Sequence, residues 1–280
     1  MRAIAAVAAL CLAACTPGFE SASDVKDLRV LAVEADPPEA QFDATTADPI
    51  DVQVLAVDPG DPSAMTLHAA ICAPTDSRRC DEGPSLDLGI QPLHTTLLVP
   101  PEFVRAAQQQ DDLKGLGGIR VQYSFRVDHG DATRAVYGSK VLVYSPRGGT
   151  PNHNPLLTGV QLSRSGEAAG QVDAGNPIPL PKDVEIGLRP LLADGSIEQY
   201  ETTDLRGNTV SLREYLRYSF FVGPGAEVDR DSADEPVNNA APPDGLVRVT
   251  LHTSPATLWI VVRDGRGGES WVEFRLDEAL

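Results

Sequence analysis

Leu258-Trp259-Ile260-Val261-Val262-Arg263, Asp264-Gly265-Arg266-Gly267-Gly268 and Trp271-Val272-Glu273-Phe274-Arg275-Leu276 are two β-prone runs on either side of a glycine-rich turn. β-Branched and aromatic residues fill the runs, and Asp-Gly followed by a glycine pair supplies the backbone freedom of a tight reversal. The stretch predicts a β-hairpin. Its apolar patch, residues 258–262, falls well short of the ~20 residues that a membrane-crossing helix needs, and it reads as a strand.

The same signature recurs upstream. In the second half, Leu156-Leu157-Thr158-Gly159-Val160-Gln161-Leu162, residues 183–191, 215–222 and 246–253 read as strands, residues 198–200 add a short one, and residues 165–181 and 223–245 read as long loops. In the first half the strands are residues 28–33, 50–57, 66–72, 94–99, 119–128 and 135–144. Residues 119–128 alternate cleanly: Val121, Tyr123, Phe125 and Val127 point one way, and Arg120, Gln122, Ser124 and Arg126 the other. Asp36-Pro37-Pro38 breaks the first strand, because proline cannot donate to a ladder. Pro101 opens a short helix over residues 102–113, with Gly115 beyond its end. Roughly six or seven short strands per half is the pattern of an antiparallel sandwich. The expected fold is all-β: two tandem antiparallel β-sandwiches, with one short helix in the first domain.

Arg2 followed by the small, apolar run 3–14 reads as an export signal. The run ends in Leu12-Ala13-Ala14-Cys15. This resembles the lipobox of bacterial lipoproteins, which implies cleavage before Cys15 and lipidation of its thiol. Several acyl chains at ~0.8 kcal/mol per buried CH₂ would anchor the chain durably. Thr16, where enteric lipoproteins retained in the inner membrane carry Asp, implies passage to the outer membrane. The expected organisation is signal peptide 1–14, lipidated tether 15–24, first sandwich 25–146, linker 147–154 and second sandwich 155–280. The architecture resembles the Ig-like and PKD-like sandwiches of uncharacterised lipoproteins from high-GC Gram-negative bacteria. It departs from PKD domains at Tyr218-Ser219-Phe220-Phe221-Val222-Gly223, where a W-x-F-G-D-G-like strand end is missing, and it lacks the Cys…Trp…Cys set of antibody domains.

The formal charge of −17 becomes one unit more negative once Arg2 leaves. That argues against nucleic acid and anionic headgroups as partners, because the phosphate term needs a basic patch. Of the four cysteines, Cys11 departs with the signal and Cys15 is the lipid site, which leaves Cys72 and Cys80 in an exported chain. Disulfides persist there, so these two are expected to pair.

No G-x-S-x-G, H-E-x-x-H, G-x-x-x-x-G-K-[ST] or C-x-x-C occurs. The densest carboxylate run, Glu227-Val228-Asp229-Arg230-Asp231-Ser232-Ala233-Asp234-Glu235, makes Asp229, Asp231, Asp234 and Glu235 a Ca²⁺ candidate, since Ca²⁺ takes six to eight oxygens. The D-x-D-x-D spacing fails at Ala233, and a solvated acidic loop is the competing reading. Asp48, Asp58 and Asp61 form a thinner cluster, and His129 and His153 sit in loops beside Asp128, Asp131 and Asn152. Trp259 and Trp271 would form a sugar platform only if they share an exposed face. No cofactor other than Ca²⁺ is expected. The expected role is a membrane-anchored lipoprotein, not an enzyme, that binds, adheres or supports structure at the surface through a protein or glycan partner. The alternative is an accessory subunit of a periplasmic or outer-membrane assembly or secretion complex.

Overall fold

The computed structural model describes residues 21–43, 45–112, 115–147, 150–234 and 245–279. The signal peptide, Cys15 and Glu235 lie outside these residues. The first sandwich contains β1 (Arg29–Asp36), β2 (Glu39–Phe42), β3 (Ile50–Val57), β4 (Thr66–Cys72), β5 (Ser85–Gln91), β6 (His94–Leu97), α1 (Pro101–Gln110), β7 (Ile119–Asp128) and β8 (Val136–Pro146). A sheet β1-β3-β6 packs on a sheet β2-β8-β7-β4-β5. The alternation read in β7 holds: Val121, Tyr123, Phe125 and Val127 are all buried in the core between the sheets. The helix ends before residue 113, because Asp111 turns extended and its carboxylate accepts from the Gly115 amide at 2.8 Å.

The second sandwich contains β9 (Leu157–Arg164), β10 (Glu167–Asp173), β11 (Ile178–Leu180), β12 (Glu185–Leu192), β13 (Gln199–Thr203), β14 (Thr209–Arg213), β15 (Arg217–Val222), β16 (Ala226–Val228), β17 (Ser232–Asp234), β18 (Val247–Leu251), β19 (Ala256–Arg263) and β20 (Glu269–Glu278). Its sheets are β10-β9-β12-β18-β16 and β11-β20-β19-β15-β17, and β13-β14 is a separate hairpin. Residues 165–181 and 223–245, read as loops, contribute β10, β11, β16 and β17. All four gain ladder hydrogen bonds from longer neighbours; β10 is almost wholly exposed yet pairs along β9, whereas β11 also buries Ile178 and Leu180 in the core.

The two sandwiches share one plan. In each, a β1-β3-β6 or β9-β12-β18 sheet faces a β2-β8-β7-β4-β5 or β11-β20-β19-β15-β17 sheet. The expectation of purely antiparallel pairing needs correction at one pair in each half, since β2·β8 and β11·β20 are parallel. In the first half, Pro37-Pro38 ends the β1 ladder and the chain crosses to the opposite sheet, where β2 runs alongside β8.

The hairpin β19–β20 is where the halves meet. Leu258, Ile260 and Val262 face the second core, yet Trp259 and Val261 on the other face are buried as well. Trp259 packs with Val25 and Leu31, against Leu55, Val57 and Phe221. Burial on both faces is why residues 258–262 are uniformly apolar rather than alternating.

Residues 150–154 and 21–24, within the expected linker and tether, pack at the junction of the two sandwiches. Asn152 is buried, with its amide N–H donating to Glu39 at 3.0 Å and its Nδ2 to Asp264 at 2.7 Å. Asn154 joins both halves, donating to the Ala35 carbonyl and accepting from the Glu269 amide. Ser23 is fully buried, and its carbonyl accepts from the Val222 amide at 2.8 Å. Polar residues inside a junction must be hydrogen-bonded, so polar composition alone does not mark a free linker.

Candidate binding site

The five-stranded sheet of the first sandwich leaves its outer face open. Alternation sends His68 and Ala70 of β4, Gln122, Ser124 and Arg126 of β7 and Tyr137 of β8 to that face, and the register sets His68 and Tyr137 on either side of Arg126. Gly138 beneath is required by close approach: a Cβ there would lie 2.4 Å from the Phe125 ring.

The Cys72–Cys80 disulfide forms as expected, with a Cα–Cα distance of 5.4 Å. It folds the intervening loop back over the sheet, and Cys80 Sγ comes within 3.8 Å of the Ala70 carbonyl. Arg79 is thereby placed over Tyr137, its guanidinium carbon 4.4 Å from the ring centroid. Loop and sheet together border a shallow, open pocket of about 360 Å³, lined by His68, Arg79, Asp81, Asp87, Ser124, Arg126 and Tyr137 among others. Arg126 is held from the side: its Nε donates at 3.0 Å to buried Asp128, two residues along β7, and Asp128 also accepts from the Gly130 amide. A guanidinium fixed through Nε keeps its terminal nitrogens for a ligand. Tyr137 remains 54% exposed, and Ile90, the partner of His68 on β5, is 68% exposed. Donors, acceptors and an aromatic ring around an open mouth suit recognition.

The described Ca²⁺ candidates, Asp229, Asp231 and Asp234, make separate contacts. Asp229 accepts from the Arg248 amide at 2.8 Å and faces the Arg248 and Arg230 guanidiniums. Asp231 bonds Ser232, and Asp234 lies in β17, whose pairing with β15 imposes extended spacing. Among the described residues, no group of three or more His, Cys, Asp or Glu is arranged to hold a metal. The other acidic clusters also resolve into separate contacts. His129 contacts Asp58 and Ser63, His153 contacts Glu198, and Asp48 contacts Arg147. The two tryptophans do share a sheet face, but Trp259 is buried with its Nε1 donating to Glu273 at 2.9 Å, so they form no open platform.

The cavity residues were only half visible in the sequence. The alternation of β7 assigns Gln122, Ser124 and Arg126 to the outer face, but nothing local brings Arg79 and Tyr137 together. The disulfide spacing was the available signal, since a short closed loop beginning at a strand end must fold back on its own sheet.

A second polar cluster occupies the junction between the sandwiches. Arg266 bonds Glu39, Glu198 and Glu214 at 3.1, 3.3 and 2.9 Å and lies 4.0 Å from the Tyr200 ring centroid. Asp264 is buried and shapes the turn, accepting from the amides of Arg266, Gly267 and Gly268. Lys140 and Arg263 both reach Glu269. Burial pushes Glu34 up to about 7, with further upward contributions from Asp36 and Glu269 and a downward one from Lys140.

No family model matches the chain, and no curated protein does. Solved structures similar to it are the two tandem V-type regions of VCBP3, a v-region-containing chitin binding protein (10% identity, TM-score 0.28, covering 89% of this chain and 100% of that one); three N-terminal domains of the bacteriophage RB49 Highly Immunogenic Outer Capsid protein (10%, 0.25, 91% and 71%); and a marsupial T cell receptor (13%, 0.24, 89% and 96%).

Proposed function

We propose that this chain is a membrane-anchored lipoprotein of the cell envelope, sorted to the outer membrane, with a non-catalytic surface binding role, and that the disulfide-clasped cavity on the first sandwich is its binding site. The observation that carries the binding role is that surface pocket, with Arg126 fixed by a buried carboxylate beside an exposed tyrosine. The anchor rests on the lipobox at Cys15. Protease shaving of intact cells with membrane fractionation tests it. Cys15→Ala is expected to release the protein from the membrane fraction, and shaving is expected to remove the wild type. A wild-type protein that fractionates as soluble sinks the anchor. One that stays in the outer membrane but resists shaving sinks surface exposure.

A second reading is favoured by the β13–β14 hairpin. It projects as a separate sheet with Leu205 81% exposed, Leu212 on one strand and Tyr215 just beyond also exposed. Exposed apolar side chains along such an element suit a protein contact, as in an accessory subunit of an envelope assembly. Protection from shaving together with a stable co-purifying complex that Leu205→Asp disrupts would favour it.

A further inference from the structure

We propose that residues 21–25 act as a strap that couples the two sandwiches into one body and fastens the N-terminal end of the chain to the second sandwich before the chain enters the first. The strap is fastened by a single parallel bridge. The Val25 amide donates to the Val222 carbonyl at 2.9 Å, the Val222 amide donates to the Ser23 carbonyl at 2.8 Å, and Asp24 bridges Val222 in parallel fashion. Its side chains are part of a core: Ser23 and Val25 are buried, and Val25 packs with Leu31 of the first sandwich and Trp259 of the second. Arg29, the first residue of β1, reaches back to the Ala22 carbonyl at 2.7 Å and ties the strap to the strand it precedes.

The placement is what the amino acids demand. A Trp on the outer face of a sheet is costly to leave wet, and an unpaired strand end offers free backbone groups. The strap covers the first and pairs the second. Inter-domain freedom is the default for tandem sandwiches unless a sizeable apolar contact removes it. Here Val25, Leu31 and Trp259 supply the apolar contact, and Arg263 adds a bond from its Nη2 to the Leu31 carbonyl at 3.1 Å. For an anchored protein, a consequence that rests on the lipid site proposed above, the ~8 residues from Cys15 to Ser23 span at most about 28 Å. That length would hold the junction between the sandwiches near the bilayer, and a pull on the tether would meet the Val222 bridge before it met β1.

The coupling is testable without lipid. A mature, non-acylated chain carrying Cys15→Ala would bear spin labels at Asp112→Cys and Glu167→Cys, exposed positions on the two sandwiches. The expected result is one narrow distance distribution and a single thermal transition. Val25→Asp is expected to widen the distribution by about twofold or more and to split the transition, since residual domain motion is released. Trp259→Ala is expected to act in the same direction from the other side of the contact. A narrow distribution and a single transition retained in both variants would overturn the strap. Should Val25→Asp lose cooperative unfolding altogether, Val25→Ala takes its place, and an unwidened distribution there overturns the proposal equally. Failure of acylation at Cys15 leaves these readouts untouched, so the strap and the anchor fail separately.

Discussion

Arg266 is the cation on which three carboxylates of two sandwiches converge, and the Glu214 side chain among them is 1% exposed. Removing one partner of a buried ion pair strands the others, at about 3–5 kcal/mol. Arg266→Ala is therefore expected to cost about 3 kcal/mol in denaturant unfolding, and Arg266→Lys to recover only part, because one ammonium cannot replace a planar fork. A loss under about 1 kcal/mol would show that solvent already screens the cluster. Glu34 behaves in the opposite sense. Its carboxyl titrates near 7 in the folded chain against an ordinary 4.5, so the folded state binds the extra proton between those values. Stability then falls as pH rises from 4.5 towards 7 and stays low above it. Glu34→Gln is expected to raise Tm by a few degrees at pH 8 and to change it little at pH 4.5, read by scanning calorimetry. Equal shifts at both pH values would sink the assignment.

The elements show what local pattern can and cannot reveal. β7 was legible because period-2 alternation is a local property, and Val121 to Val127 are buried as read. The hairpin β19–β20 was legible from its glycine turn. β10 and β17 were not, because their exposed or short sequences carry no burial signal and owe their geometry to ladder partners. The cavity shows the same division: the disulfide followed from two cysteines in an exported chain, whereas Arg79 over Tyr137 depends on contacts between distant strands and a loop. The loop makes a sharper prediction. Closing so short a segment contributes about 2–3 kcal/mol through the unfolded chain. The Cys72→Ser, Cys80→Ser double variant is expected to lose that much in denaturant unfolding, and also the hydrogen-exchange protection of the Thr75 and Arg78 amides, which donate to Gln122 and to the Thr75 carbonyl. Full protection in the double variant would mean that packing against Ala70 and Gln122, not the bond, holds the clasp over the cavity.

For the whole molecule, charge governs how stability responds to pH, and the contributions run in both directions. The chain carries −17 at neutral pH, and self-repulsion eases as pH falls towards the pI of about 4.6. Glu34 and Glu214 are both raised by burial, and each adds stability as it protonates. His252 is raised by bonds to Asp183 and Glu227, so its contribution is fully present below its unfolded value and fades as pH climbs through the folded one. All of these favour mildly acidic solution. Against them stand Asp43, Asp61, Asp131 and Asp204, each held below the ordinary carboxylate range by hydrogen bonds from nearby turn residues. Their contribution exists above the unfolded value near 3.8 and disappears as pH drops through the folded values. Two opposing slopes define a maximum between them. Tm is therefore expected to peak at about pH 4.5, lower than a neutral optimum, to decline gradually towards pH 8 and to fall steeply below about pH 4. Tm measured across pH 3–9 at fixed ionic strength checks the shape, and Glu34→Gln should flatten only the alkaline slope. A maximum at or above pH 7.5 would mean that the carboxylate-rich junction is open enough for water to erase the cost of its charges, and it would count against the two sandwiches forming one body.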